Sequence, residues 1–145
     1  MSPPTPIPSV LRVISRDPVA VAPGTPLRVV AQLMDEESIG AVLVCDRHGA
    51  AGIVSERDLV VALAAGTDPD AGRAQDVMSA DLAWVSVEAD PLSVADLMLE
   101  NEIRHVLVVT EQQTVGIVSI RDILMVVASV SRRATGASTR GSGTG

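Results

Sequence analysis

The stretch Gly-Ile-Val-Ser-Glu-Arg-Asp-Leu at residues 52–59 recurs as Gly-Ile-Val-Ser-Ile-Arg-Asp-Ile at residues 116–123. The displacement of sixty-four positions holds well beyond this motif, because about 20 of the 52 positions in residues 13–64 are identical to their counterparts in residues 77–128. Agreement over such a length without an insertion indicates one structural unit built twice. The sequence therefore predicts a tandem duplication of one α/β unit.

Each copy predicts the same order of elements, β-α-β-β-α. Short apolar runs give three strands per copy, and the continuous apolar character of the second and third strands predicts burial on both faces. The predicted strands are 19–21, 41–45 and 51–54 in the first copy and 84–87, 105–109 and 115–118 in the second. A second helix begins at Ser55 or Ser119 and ends near Ala64 or Val130.

The first helix of each copy opens at a proline. Thr25-Pro26 and Asp90-Pro91 predict Thr25 and Asp90 as N-caps with proline in the first helical position. The pair Asp90-Pro91 lies one position later than the sixty-four-residue offset requires, which predicts a shifted first turn in the second copy.

Composition shifts along the chain predict its domain organisation. Prolines dominate the start, turn formers lie between the copies, and the end consists mostly of Ala, Gly, Ser and Thr. We expect a disordered tail at 1–9, a first domain at 10–66, a linker at 67–73, a second domain at 74–131 and a disordered tail at 132–145.

The charge balance excludes several classes of partner. The net charge is −7, and all eleven basic residues are arginines. Three of them lie in residues 132–145, which contain no acid, so residues 1–131 carry −10. Nucleic acid requires a surplus of positive charge on one face, which is not expected here. The apolar runs are too short to cross a bilayer, no secretory signal opens the sequence, and Cys45 has no partner cysteine. We therefore expect a cytoplasmic protein.

The repeated Ser-x-x-Asp pattern lies where a buried strand runs into a helix. A helix N-terminus presents unpaired backbone N–H groups and the positive end of the helix dipole, so the helix starts at Ser55 and Ser119 are predicted phosphate-binding sites. Asp58 and Asp122 cannot face the same phosphate without repulsion, but a carboxylate can accept both hydroxyls of a ribose. The alternative is structural, because Ser-x-x-Asp is also close to a capping box that needs no ligand.

The order of these elements resembles the CBS domain family, whose members usually occur as a tandem pair, the Bateman module. The resemblance runs from Val13 to about Val130 and includes Asp-Pro-Val-Ala-Val at 17–21, Ile-Gly-Ala-Val-Leu-Val at 39–44 and the motif at 52–58. It implies an α/β (α+β) fold with the two units related by pseudo-twofold symmetry and two clefts between the repeats. Family members commonly bind AMP, ADP, ATP or S-adenosylmethionine there, and occasionally NAD.

The resemblance also assigns roles to individual residues. Asp58 and Asp122 match the family's ribose-binding acid, and Ser55 and Ser119 match a residue near the phosphate or ribose. The early strands around Val19 and Trp84 match a segment where the adenine is recognised through backbone groups. The Trp84 side chain is either a packing residue at a cleft edge or subunit interface or a stacking partner for the base.

The two copies differ at the entry to the central strand. Gly40-Ala41 in the first copy is replaced by Arg104-His105 in the second. The resemblance places basic groups near a ligand phosphate here, and the alternative is two solvated residues. We expect two related sites of unequal affinity.

The leading hypothesis is a regulatory module that binds an adenosyl ligand and signals through packing or partner docking. It requires no cofactor, and the resemblance favours a homodimer, for which the helices need apolar faces. The alternative is a ligand-free interaction or structural module. An enzyme is not expected, because no nucleophile is paired with a base and no Gly-rich phosphate loop is present. No residue pair has metal-ligand spacing.

Overall fold

The computed structural model describes residues 9–10, 17–111 and 113–139, the side chains of 130–139 excepted. The elements, in chain order, are β1 (Ala20–Val21), α1 (Leu27–Glu37), β2 (Ala41–Asp46), β3 (Gly49–Ser55), α2 (Glu56–Ala64), α3 (Ala74–Val77), β4 (Trp84–Ser86), α4 (Pro91–Glu100), β5 (His105–Val109), β6 (Thr114–Ser119) and α5 (Ile120–Thr139). They form two compact units. The first unit is residues 17–83, and the second unit is residues 84–139 together with Val10.

Each unit contains one three-stranded sheet, ordered β1-β2-β3 in the first and β4-β5-β6 in the second. The first pair of strands in each sheet is parallel and the second pair antiparallel. The registers repeat at the same offset, since Ala20 pairs with Leu43 and Trp84 with Leu107. This mixed α/β architecture confirms the predicted fold class.

A core cluster lies on one face of each sheet, while Leu43, Ile53 and Leu107 are buried on the opposite face, as the apolar strands predicted. In the first unit, alternate strand residues Val42, Val44 and Val54 are fully buried and form a cluster with Val30 and Met34 of α1. Spacing of two along a strand and of four along a helix directs these side chains to one side. The counterparts in the second unit are also buried, namely Val94, Met98, Val106, Val108 and Val118.

The backbone geometry is duplicated as closely as the core. Ser38 and Glu102 follow the first helix of their units, and both have φ 54°, in the left-handed region. The next residue in each copy, Ile39 or Ile103, donates its N–H to the carbonyl of Met34 or Met98. The helix-to-strand turn is therefore the same in both units.

The start of α1 differs from the prediction. Its N-cap is Pro26, without a side-chain cap, so the assignment of Thr25 as the N-cap was wrong. Carbonyls of the linker accept the first helical N–H groups instead, Leu27 to Gly72 at 3.0 Å and Arg28 to Pro69 at 3.0 Å. The linker backbone therefore supplies the acceptors that a capping side chain usually provides.

The start of α4 follows the prediction more closely. Asp90 is the N-cap, Pro91 follows it, and Asp90 Oδ1 accepts the N–H of Leu92 at 3.4 Å. Since Pro26 and Asp90 are sixty-four residues apart, the expected shift of the first turn is wrong. The buried residues of the two helices, Val30 and Met34 in α1 and Val94 and Met98 in α4, occupy equivalent positions, so both helices turn the same side toward their sheets.

The residues after the linker belong to the first unit. Helix α3, which was not predicted, places Ala74 in the core cluster, and Ser79 forms an antiparallel bridge with Ile53 of β3. Ala74 donates its N–H to Thr25 at 2.9 Å, and Val10 donates to Ala89 at 2.8 Å. These two contacts are again sixty-four residues apart, so the residues preceding each repeat complete the other repeat's unit.

Helix α5 is longer than predicted. It continues to Thr139, whereas the sequence predicted an end near Val130 and a disordered tail from residue 132. Residues 132–139 are helical, and 140–145 lie outside the described residues, as do 1–8 of the predicted N-terminal tail. Among the helices that the structure describes, none combines the length and apolar content that crossing a membrane requires.

Candidate functional site

The strand-to-helix junction of the first unit holds Ser55 and Asp58 in direct contact. Ser55 donates to Asp58 Oδ2 twice, from its N–H at 2.7 Å and from its hydroxyl at 2.9 Å. Asp58 donates its own N–H to Ser55 Oγ at 3.3 Å. Ser55 is the N-cap of α2, so this is a complete capping box.

The second unit repeats this junction. Ser119 donates its N–H to Asp122 Oδ2 at 3.0 Å, and Asp122 donates its N–H to Ser119 Oγ at 3.1 Å. Asp122 is exposed, whereas Asp58 is half-buried. The structure therefore brings both predicted Ser–Asp pairs together, in the geometry that the capping alternative requires.

A further backbone contact occupies each helix start. Glu56 donates its N–H to the carbonyl of Gly40 at 3.0 Å, and Ile120 donates to the carbonyl of Arg104 at 2.8 Å. In the first unit the N–H groups of residues 55, 56 and 58 thus already have acceptors. Fewer backbone donors remain for a phosphate than the sequence indicated, and the carboxylate becomes the principal polar group of the junction.

The carboxylate of Asp58 retains capacity for a ligand. Both side-chain hydrogen bonds from Ser55 reach Oδ2. Within the part of the chain that the structure describes, Oδ1 accepts no hydrogen bond. A carboxylate oxygen in this state can accept a hydroxyl without breaking the cap.

The predicted basic residues lie beside the second junction. Arg104 immediately precedes β5 and is exposed, and its carbonyl holds the N–H of Ile120. His105 is half-buried and pairs with Ser119 across the antiparallel ladder. The backbone therefore brings Arg104 and His105 next to the Ser119–Asp122 pair.

The first unit has the opposite charge at this place. A Cβ built on Gly40 would lie 3.0 Å from Glu56 Oε1, so a carboxylate lies beside that glycine. In the second unit the equivalent residues are Arg104 and Ile120. The sequence analysis did not identify Glu56. The presence of Ile120 at the equivalent position of the second copy already indicates a difference in charge between the two junctions.

The adenine-segment residues Val19 and Trp84 differ in exposure. Val19 packs against the first unit's core cluster, and its carbonyl accepts the N–H of Leu43 at 2.8 Å. Trp84 is 68% exposed on β4 and pairs with Leu107, two residues along β5 from His105. Only Trp84 therefore offers a large free side-chain surface.

The lone cysteine lies apart from these groups. Cys45 is a free, half-buried thiol near the end of β2. Burial, and secondarily the charge of Asp46, raises the pKa of this thiol above its ordinary value. No cluster of three metal-ligating side chains occurs in the described ranges.

The comparisons with known proteins define the class of this chain. The model of the CBS domain family matches it twice, at residues 10–65 and 74–129. The chain therefore belongs to the CBS domain family and contains a tandem pair of these domains, as the sequence resemblance predicted.

Relatives span most of this length. Hypoxic response protein 1 of Mycobacterium tuberculosis is 35% identical over 99 residues, which cover 67% of this chain and 69% of that protein. A CBS-domain containing protein from Agrobacterium tumefaciens has a TM-score of 0.76 at 26% identity, covering 88% of this chain and 98% of its own.

A third relative carries a ligand in its structure. A CBS domain protein from Pyrobaculum aerophilum, solved in complex with AMP, has a TM-score of 0.69 at 29% identity. The match covers 83% of this chain and 98% of that one.

Proposed function

We propose that this protein is a regulatory module, acting in the cytoplasm, that binds an adenosyl ligand at the Ser–Asp junction of each unit. The ligand class comprises AMP, ADP, ATP, S-adenosylmethionine and NAD-type molecules. The observation that carries the proposal is the repetition of one Ser–Asp pair at equivalent helix starts. The complex of the Pyrobaculum aerophilum relative with AMP supports the same ligand class.

The proposed chemistry places a ribose on the carboxylate. Asp58 Oδ1 and its counterpart on Asp122 accept ribose hydroxyls, while the Ser–Asp hydrogen bonds hold each carboxylate in place. The cap is already formed without ligand, so little reorganisation is required on binding. Trp84 adds an exposed aromatic face on which a base can stack in the second unit.

The difference in charge between the two junctions gives the two sites different preferences for a phosphate. Glu56 disfavours a phosphate beside Gly40, whereas Arg104 and His105 favour one beside Ser119. In a protein with a net charge of −7, local basic groups have to offset the repulsion of an anion by the overall field. We infer that phosphate-bearing ligands prefer the second unit.

Binding regulates by shifting packing or the docking of a partner protein, which requires that the ligand have different affinities for two states. We propose no catalytic role for the Ser–Asp pairs. A second candidate is a ligand-free interaction module, and one observation favours it. Both capping boxes are complete in the structure, which is the arrangement that a purely structural role would also require.

Isothermal titration calorimetry with AMP, ATP, S-adenosylmethionine and NADH separates the two candidates. We expect at least one of these ligands to bind, and Asp58→Asn or Asp122→Asn to remove its site. Asp76→Asn is the matched control, because Asp76 forms the equivalent contact with the N–H of Arg73 at the start of α3. If the folded protein binds none of the four ligands, the result would contradict the regulatory module and favour the ligand-free interaction module.

A further inference from the structure

The side chain of Glu56 lies folded back over Gly40, the residue that precedes β2. Glu56 Oε1 would be 3.0 Å from a Cβ built on Gly40, and Glu56 also donates its N–H to the carbonyl of Gly40 at 3.0 Å. The backbone of Gly40 is not in the left-handed region, so its conformation does not require glycine. What the missing side chain provides at this position is room for the carboxylate of Glu56.

The second unit carries the opposite charge at the same two positions. Arg104 replaces Gly40, and Ile120 replaces Glu56. Counting position 40 or 104 together with the four residues of the Ser–Asp motif, the first junction has a net charge of −1 and the second a net charge of +1. Both junctions also have the positive end of a helix dipole, roughly half an elementary charge, which is too small to reverse the sign at the first junction.

Adenosyl ligands differ mainly in the group at the 5′ carbon of their ribose. AMP has a negatively charged phosphate there, S-adenosylmethionine has a positively charged sulfonium, and S-adenosylhomocysteine has a neutral thioether. If the ribose hydroxyls occupy equivalent carboxylates in the two units, the 5′ groups also occupy equivalent places. The charged residues that differ between the junctions then act on this part of the ligand.

We propose that the first unit selects an adenosyl ligand with a positive charge at the 5′ position, such as the sulfonium of S-adenosylmethionine, and that Glu56 selects it. This inference rests on the proposed function, because it takes the ribose to be held by Asp58. The carboxylate of Glu56 attracts a sulfonium and repels a phosphate, and specificity is such a difference in affinities. Glu56 is exposed, so water and salt screen the attraction to the scale of a surface ion pair.

Calorimetric titration of the full chain carrying Asp122→Asn isolates the first site, since this substitution is expected to remove the second. S-adenosylmethionine should bind this protein about fivefold more tightly than S-adenosylhomocysteine, which differs by one methyl group and by the charge on sulfur. Adding Glu56→Gln should abolish the preference and leave the affinity for S-adenosylhomocysteine unchanged. Asp46→Asn is the matched control, because it removes a negative charge at the opposite end of β2.

The dependence on salt distinguishes selection by charge from selection by shape. Between about 50 and 500 mM salt, the preference for S-adenosylmethionine should shrink, because counter-ions screen the attraction between Glu56 and the sulfonium. A pocket that fits the extra methyl group would keep its preference over this range. A preference that is independent of salt would therefore contradict the role of Glu56.

A double variant that transfers the charge pattern of the second junction tests the same idea by gain of function. Gly40→Arg with Glu56→Ile gives the first junction the residues of the second, and the same backbone hydrogen bond joins these positions in both units. In the Asp122→Asn protein, we expect this pair of changes to strengthen AMP binding by about tenfold and to abolish the preference for the sulfonium.

Circular dichroism shows whether each variant is folded, and adenosine serves as the uncharged reference ligand. Equal affinities of the Asp122→Asn protein for the two sulfur ligands would overturn the proposal, as would a preference that survives Glu56→Gln. If adenosine binds while the charge on sulfur has no effect, only the selection by Glu56 is wrong. If neither adenosine nor any of the charged ligands binds the folded wild-type protein, the proposed function is wrong as well.

Discussion

Beside the two Ser–Asp pairs, the two units differ in charge at single residues. Glu56 lies beside Gly40 in the first unit, and Arg104 replaces that glycine in the second, where isoleucine replaces the glutamate. Charge-assisted hydrogen bonds to phosphate are stronger than neutral ones, so in the proposed site we expect Arg104 to bind the phosphate of AMP, a group that adenosine lacks.

We therefore expect Arg104→Ala to weaken AMP binding by about tenfold while adenosine binding is unchanged. Calorimetric titration of both ligands into the same variant measures this. Arg47→Ala, in the β2–β3 turn, is the control for loss of an exposed arginine. If AMP and adenosine bind Arg104→Ala in the wild-type ratio, Arg104 does not contact a phosphate.

The Cys45 thiol provides a prediction of pH dependence. Burial favours the neutral thiol over the charged thiolate and raises the pKa of Cys45, and the neighbouring Asp46 acts in the same direction. The thiolate is the species that reacts, so alkylation by iodoacetamide should be slow at about pH 7 and accelerate through and above the ordinary thiol range.

The same reaction in urea should be faster at every pH below the folded-state pKa, because unfolding removes the burial. Mass spectrometry of the modified protein follows both rates. Equal rates in the folded and unfolded protein at about pH 8 would show that Cys45 behaves as an ordinary exposed thiol.

At the strand-to-helix junction, the sequence predicted the contacts between residues that are close together in the chain. Ser55 and Asp58 are three residues apart, so their contact follows from helix geometry, and the duplication identifies the second pair. The acceptor of Glu56, the carbonyl of Gly40, could not be predicted, because it is sixteen residues away and depends on how β2 meets α2. Such a contact is fixed only when the strands pair.

The helix ends were predicted correctly where a cap is local in sequence and wrongly where the cap comes from a distant part of the chain. Asp90 caps α4 through its own side chain, which the local sequence indicates. Thr25 does not cap α1, because Pro69 and Gly72, more than forty residues later in the chain, supply the acceptors. The end of α5 was also mispredicted, because the helix continues to Thr139 and no proline interrupts it.

The edge of β3 depends on a glycine for its contact with the chain after the linker. A Cβ on Gly52 would lie 2.6 Å from Met78 Sδ and 2.9 Å from the carbonyl oxygen of Ser79. The second clash is with backbone, and that carbonyl accepts the N–H of Ile53. A side chain at position 52 therefore has to displace the bridge.

We expect Gly52→Ala to lower the free energy of unfolding by about 1–3 kcal/mol, the usual cost of overpacking. Gly24→Ala is the control, since no atom lies within 4 Å of its built Cβ, and its effect should stay within about 0.5 kcal/mol. Urea unfolding followed by circular dichroism measures both. Equal stability of the two variants would mean that the strand edge tolerates displacement of Ser79.

For the molecule as a whole, the repeats in the sequence and the compact units in space have different boundaries. The family match covers 10–65 and 74–129, whereas the first unit extends from 17 to 83. Ala74 is fully buried in the first unit's core cluster, and Val10 is fully buried in the second unit. Each compact unit therefore includes residues from the start of the other matched repeat.

A fragment that ends with the first repeat should therefore be poorly folded, and one that follows the compact unit should fold better. Residues 10–66 lack Ala74, the Ser79 bridge and the linker carbonyls that bind the start of α1, whereas residues 17–83 contain all three. We expect fragment 17–83 to unfold cooperatively in urea and fragment 10–66 to show a broad transition with little helical signal, since domains of this size have little stability to lose. Gly52→Ala within fragment 17–83 should lower its midpoint, which links the difference to the Ser79 contact. Equal midpoints for the two fragments would place the boundary of folding at the repeat, and the residues after the linker would then contribute nothing to the first unit.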